Sequence, residues 1–145
     1  MDDVQVERTV DLDAPVDEVW SALTEDDALS DWFEADVTLE VVPGGGGRFE
    51  HPDGEVRRAL VEEVDPGRRL SFRWWTDGDD DGPISSVTFE LTEAGDRTHL
   101  VVTERALLLP VVAATMSADL RRGVGRLELR CAAGRAFAPA TLARA

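Results

Sequence analysis

The chain has one cysteine, Cys131, two histidines, His51 and His99, and no tyrosine. Lysine and asparagine are also missing, and Ile84 is the only isoleucine. A lone cysteine excludes an intramolecular disulfide, and its place beside Ala132 and Ala133 in a helical pattern predicts a buried, inert thiol. With two histidines, a Ser/His/Asp triad or a His-rich metal centre would have to use one of that pair. Neither an HExxH nor a CxxC pattern occurs, so no metal site is predicted. No stretch approaches the roughly 18 apolar residues of a membrane span, and the acidic N-terminus lacks an apolar signal core. A cytoplasmic location is the expectation. All 15 basic residues are arginine against 30 Asp and Glu, giving a formal charge of -15. Lys, Asn, Tyr and Ile share AT-rich codons, so their scarcity points to genomic bias, with a salt-adapted acidic surface as the competing explanation. Such a charge repels nucleic acid and anionic membranes, and neither is an expected partner.

What is present suits one domain over residues 1–145, with 135–145 as a frayed tail. Val4, Val6, Val10 and Leu12 alternate with Gln5, Glu7, Thr9 and Asp11, which predicts a half-buried strand. Asp13 or Ala14 can cap a helix with Pro15 in its first turn, after which Val16, Val19, Trp20 and Leu23 recur at helical spacing. A second short helical or turn segment over residues 25–29 then leads to Trp32-Phe33.

Beyond Phe33, strand rhythm persists for about seventy residues with frequent turn signals, as expected of a meander. Val37, Leu39 and Val41 alternate before the glycine run 44–47, which reads as a bend because no phosphate-holding element follows it. Strands are expected from Arg48, over 55–64 and over 98–104. Leu70, Phe72 and Trp74 share one face, as do Val87, Phe89 and Leu91. Leu120, Val124, Leu127 and Cys131 form the stripe of an amphipathic helix lying across the sheet. Pro110 and Gly134 bound it, and Gly123 and Gly125 mark a kink or close packing.

The order Ala14-Pro15, Val19-Trp20, Trp32-Phe33, Gly46-Gly47-Arg48-Phe49, Val64-Asp65-Pro66, Arg69-Leu70 and Val87-Thr88-Phe89-Glu90-Leu91 resembles the START-like (SRPBCC) superfamily. Within it the chain is most similar to the branch related to the C-terminal domain of the activator of the heat-shock protein 90 ATPase, from about residue 6 to 103. The resemblance implies an α+β helix-grip fold: a curved antiparallel sheet of about six or seven strands, two short helices after the first strand, and a long C-terminal helix over an apolar cavity. The chain departs from the pattern where similar proteins carry Gly-Trp in the last helix, since Gly123-Val124 stands there.

For Trp20 and Phe89 the simpler reading is ordinary core. The resemblance places Trp32, Phe49, Phe72 and Trp74 around the hollow, as cavity wall or as core. Arg57 and Glu104 have inward parity and are candidates to orient a ligand; burial requires them to be paired, watered or at the rim. His51 sits at a strand end, either locally bonded or as an acid/base group at the cavity mouth. The run 77–82 matches the first half of a calcium loop, but Thr88 replaces the bidentate Glu, so a solvated hairpin loop is predicted. No catalytic residue and no cofactor is assigned. The leading expectation is a protein binding a hydrophobic or aromatic small molecule, not an enzyme. A polyketide cyclase or dehydratase and a chaperone-interaction module are the alternatives, and a homodimer is compatible with all three.

Overall fold

The computed structural model describes residues 5–78, 84–108 and 118–132. Within them lie seven strands and three helices: β1 (Gln5–Leu12), α1 (Val16–Thr24), α2 (Asp26–Phe33), β2 (Asp36–Leu39), β3 (Gly46–Glu50), β4 (Val56–Asp65), β5 (Arg69–Thr76), β6 (Ile84–Ala94), β7 (Arg97–Leu108) and α3 (Ala118–Ala132). The strands form one antiparallel sheet in the order β1-β7-β6-β5-β4-β3-β2. This is the expected meander, with β1 closing against β7. The whole is the α+β helix-grip fold that the resemblance implied.

Alternation fixes which face is buried, because successive strand side chains point to opposite sides. Val10, Leu12, Val37, Leu39, Phe49, Ala59, Val61, Leu70, Phe72, Trp74, Val87, Phe89, Leu91, Leu100 and Val102 all turn inward and are buried. α3 adds Leu120, Val124, Leu127 and Cys131, the predicted stripe, to the same core. Arg8 on β1 reaches α3, donating to Glu128 Oε1 at 3.0 Å and to the Arg121 carbonyl at 3.3 Å. Phe89 is fully buried; Trp20 is half-buried against the core.

Local boundaries differ from the sequence expectation: β3 already begins at Gly46 and β7 runs on to Leu108, and three other boundaries have a clear local cause. Pro15 is itself the cap of α1, with an extended ψ of 158° and a carbonyl that accepts from Glu18 and Val19 at 3.1 Å. A cap needs no N–H of its own, so proline fits there as well as one residue later. α2 runs on through Trp32 and Phe33, because their rings find partners on the sheet that periodicity cannot reveal. β2 stops at Leu39, since the chain then turns sharply through the glycine run. Gly45 passes so close to the backbone of Glu40 that a Cβ there would lie 2.1 Å from the Glu40 carbonyl oxygen. The predicted boundaries at Pro110 and Gly134 and the 135–145 tail lie outside the described residues.

Candidate functional site

Six rings converge between α2 and the inner face of the sheet. Phe33 stacks on Trp32 with centroids 4.4 Å apart and meets Phe49 and Trp74 edge-on at 5.0 and 6.1 Å. Phe72 lies 6.1 Å from Phe49, 5.7 Å from Trp74 and 6.1 Å from Phe89. These spacings are those of direct ring packing, worth about 0.5–1.5 kcal/mol per pair beyond area burial. Trp32 is further fixed because its Nε1 donates to the Ala22 carbonyl at 2.8 Å, which ties α2 to α1. The structure thus brings Trp32, Phe49, Phe72 and Trp74 together, with Phe33 packed on Trp32, Phe49 and Trp74.

Arg57 and Glu104 also fall on the inner face, and the indole of Trp74 stands between them. The Arg57 guanidinium carbon lies 4.1 Å from the centroid of that ring, while Trp74 Nε1 donates to Glu104 Oε2 at 3.0 Å. Glu104 is only 7 % exposed. A carboxylate so placed costs free energy unless donors serve it, and an N–H bond to an ionised acceptor is among the stronger kinds. The Arg57 cation lies over the electron-rich ring face.

An opening of about 300 Å³ lies beside this cluster. Phe33 and Glu34 at the end of α2, His51, Asp53 and Glu55 in the β3–β4 turn, and Arg122 and Arg126 on α3 line it. The turn is tight: Gly54 N–H donates to the His51 carbonyl, His51 N–H to the Glu55 carbonyl, and Glu55 N–H to Asp53 Oδ1. On the other side, Arg126 donates to the Trp32 and Phe33 carbonyls at 2.6 and 2.9 Å and approaches Glu34 at 3.6 Å. These are free carbonyls at a helix C-terminus, where a cation also complements the helix dipole. Glu34 is left-handed, with φ 57° and ψ 48°, a conformation that favours glycine.

Sequence reasoning placed His51 at a cavity mouth as one of two readings but did not single out Glu34, Arg122 or Arg126. The four-residue spacing of the two arginines puts them on one helix face. Nothing local says what that face meets.

Other singled-out groups lie elsewhere. His99 faces outward and pairs with Asp11 at 2.8 Å. Cys131 is buried, and desolvation, then the charges of Asp13 and Glu18, push its thiol up to about 12. Of the acidic run, Asp77 pairs with Arg58 at 3.5 Å, and residues 79–83 lie outside the described ones. Among the described residues, no group of three or more His, Cys, Asp or Glu side chains could hold a metal, and no helix is long and apolar enough to cross a membrane.

Comparison with known proteins gives a consistent answer. The family model for activator of Hsp90 ATPase homolog 1-like proteins matches residues 13–124. DynU16, a protein of the dynemicin biosynthetic locus, is 32 % identical with a TM-score of 0.78; the match covers 92 % of this chain and 49 % of that one. The chain therefore spans about half the length of that relative. CalU16 from Micromonospora echinospora is 27 % identical with a TM-score of 0.61, covering 90 % of this chain and 74 % of its own. The Aha1 dimer from Colwellia psychrerythraea, at 15 % identity, TM-score 0.68 and coverage of 88 % and 95 %, shares the fold. No curated protein matches the chain with significance.

Proposed function

Because the chain belongs to the family of activator of Hsp90 ATPase homolog 1-like proteins, we propose that it binds a hydrophobic or aromatic small molecule between the sheet and α3. The ligand enters at the opening between α2 and the β3–β4 turn. The observation that carries this reading is the ring cluster beside that opening, with Arg57 and Glu104 flanking Trp74. Pockets for small molecules combine apolar and aromatic walls with a few placed polar groups, and this end of the sheet has both. Entry displaces Phe33, whose ring stands between the opening and Trp74, so binding is coupled to movement of the end of α2. One similar protein belongs to the dynemicin biosynthetic locus, which fits a ligand made by a biosynthetic pathway in the cytoplasm.

Titration of the purified chain with a panel of polycyclic aromatic and aliphatic ligands, followed by tryptophan emission, tests the proposal. A saturable emission change is expected, weakened in Trp74→Phe, which removes the indole N–H that Glu104 accepts. Absence of any saturable change, together with an unshifted melting temperature, would sink it. His51 at the rim and Arg57 and Glu104 on the inner face favour a polyketide cyclase or dehydratase as second reading. That reading requires turnover of a bound polyketide to fall in His51→Ala, and equal turnover would end it.

A further inference from the structure

At the β3–β4 end of the sheet, two side-chain nitrogens are buried with no hydrogen bond to either: His51 Nε2 and Arg57 Nε. Each residue has other partners; among the described residues, these two atoms are the buried side-chain polar atoms left over. Strand register brings them together. Phe49 opposes Arg57, and the His51 N–H donates to the Glu55 carbonyl, so the ladder continues past the end of β3. Side chains two positions apart on a strand share a face, which puts Phe49, His51 and Arg57 on the inner face. Diagonal neighbours on one face have Cβ atoms about 7–8 Å apart, within reach of long side chains. His51 also lines the opening beside Phe33, and the Arg57 guanidinium lies 4.1 Å from the centroid of Trp74.

The two nitrogens differ in what they can do. Arg57 Nε–H only donates, whereas imidazole Nε2 donates or accepts according to its tautomer. Buried polar atoms are nearly always bonded, and a purely apolar ligand would leave both unmet. An oxygen that accepts and also donates meets both, taking the Arg57 N–H and giving its own hydrogen to His51 Nε2. A hydroxyl is such a group, and an aromatic ring carrying it has Phe49 and Trp74, 5.5 Å apart, to pack on. A carboxylate fits less well, since it only accepts, and Glu34, Asp53 and Glu55 at the same opening repel it.

We propose that the ligand of this site is a phenol, seated with its ring against Phe49 and Trp74 and its oxygen between Arg57 Nε and His51 Nε2. This rests on the reading that a small aromatic molecule enters at the opening, and it names the group that molecule carries. The test is amide chemical-shift titration of the ¹⁵N-labelled full chain with naphthalene, naphthol and methoxynaphthalene. All three are expected to give saturable shifts around Phe49, His51, Arg57 and Trp74. Naphthol is expected to bind roughly tenfold tighter than naphthalene, the size of two net hydrogen bonds, with methoxynaphthalene, which accepts but cannot donate, between them. His51→Ala should weaken naphthol roughly fivefold and leave naphthalene unchanged, with unchanged shifts elsewhere as the check on the fold. Saturable binding of naphthalene and naphthol with equal affinity would overturn this proposal alone, and so would a naphthol advantage that survives intact in His51→Ala. Saturation by none of the three would overturn it together with the reading it rests on.

Discussion

Gly123 on α3 lies against Trp32 and Phe33 of α2. A Cβ there would lie 3.0 and 3.1 Å from two Trp32 ring carbons, and that ring cannot retreat because it is bonded to Ala22 and stacked on Phe33. Gly125, two residues on, has nothing within 4 Å of such a Cβ. The same substitution should therefore have opposite signs at the two positions. Gly125→Ala gains helix propensity of up to about 1 kcal/mol. Gly123→Ala gains the same propensity but overpacks a fixed ring, a penalty of about 1–3 kcal/mol, and comes out destabilised. Urea midpoints of the two variants against the parent decide this, and equal shifts would refute it. The two glycines look alike in the sequence, where each merely weakens a helix; what separates them is a ring some ninety positions away.

At the scale of elements, the strands were the most legible part and the end of α2 the least. Alternation with a period of two assigns Leu70, Phe72 and Trp74 to one face and carries Arg57 and Glu104 inward with them, because one face of the sheet is buried throughout. Asp31-Trp32-Phe33 has no such rhythm; its rings pack on one another and on the sheet, and Arg126 bonds the Trp32 and Phe33 carbonyls from across the chain. Arg126→Ala should therefore loosen α2 specifically. Two bonds from a charged donor to helix-end carbonyls predict a loss of about 1.5–3 kcal/mol, with tryptophan emission shifting red as Trp32 becomes less fixed. Arg126→Lys keeps the charge but not the planar fork and should recover only part of the loss. An unchanged urea midpoint in Arg126→Ala would show that packing of Phe33 alone holds the helix end.

For the whole molecule, the ring cluster could be anticipated from the inner-face pattern, whereas the opening could not. Its lining comes from α2, the β3–β4 turn and α3, three segments whose meeting is a property of the closed fold and not of any local sequence. The charge, by contrast, is fully legible, and its consequence is global. Ion pairs on the described surface, such as Arg8–Glu128, Arg48–Glu50 and Arg73–Glu62, are exposed or half-exposed. Each contributes about 0–1 kcal/mol, and salt weakens it. Against them stands a net charge of -15 in formal terms, whose repulsion acts across the whole surface and opposes compactness. Raising ionic strength from about 0.01 M to about 0.15 M shortens the screening length from about 30 Å to about 8 Å. That removes most long-range repulsion while leaving contacts at 3 Å largely in place, so the repulsive term falls further than the attractive one. The melting temperature should rise by several degrees, since about 1 kcal/mol corresponds to roughly 2–8 °C for domains of this size range. Thermal denaturation over a sodium chloride series measures it, and a melting temperature that falls with salt would show that the arginine–carboxylate pairs outweigh the excess of acid.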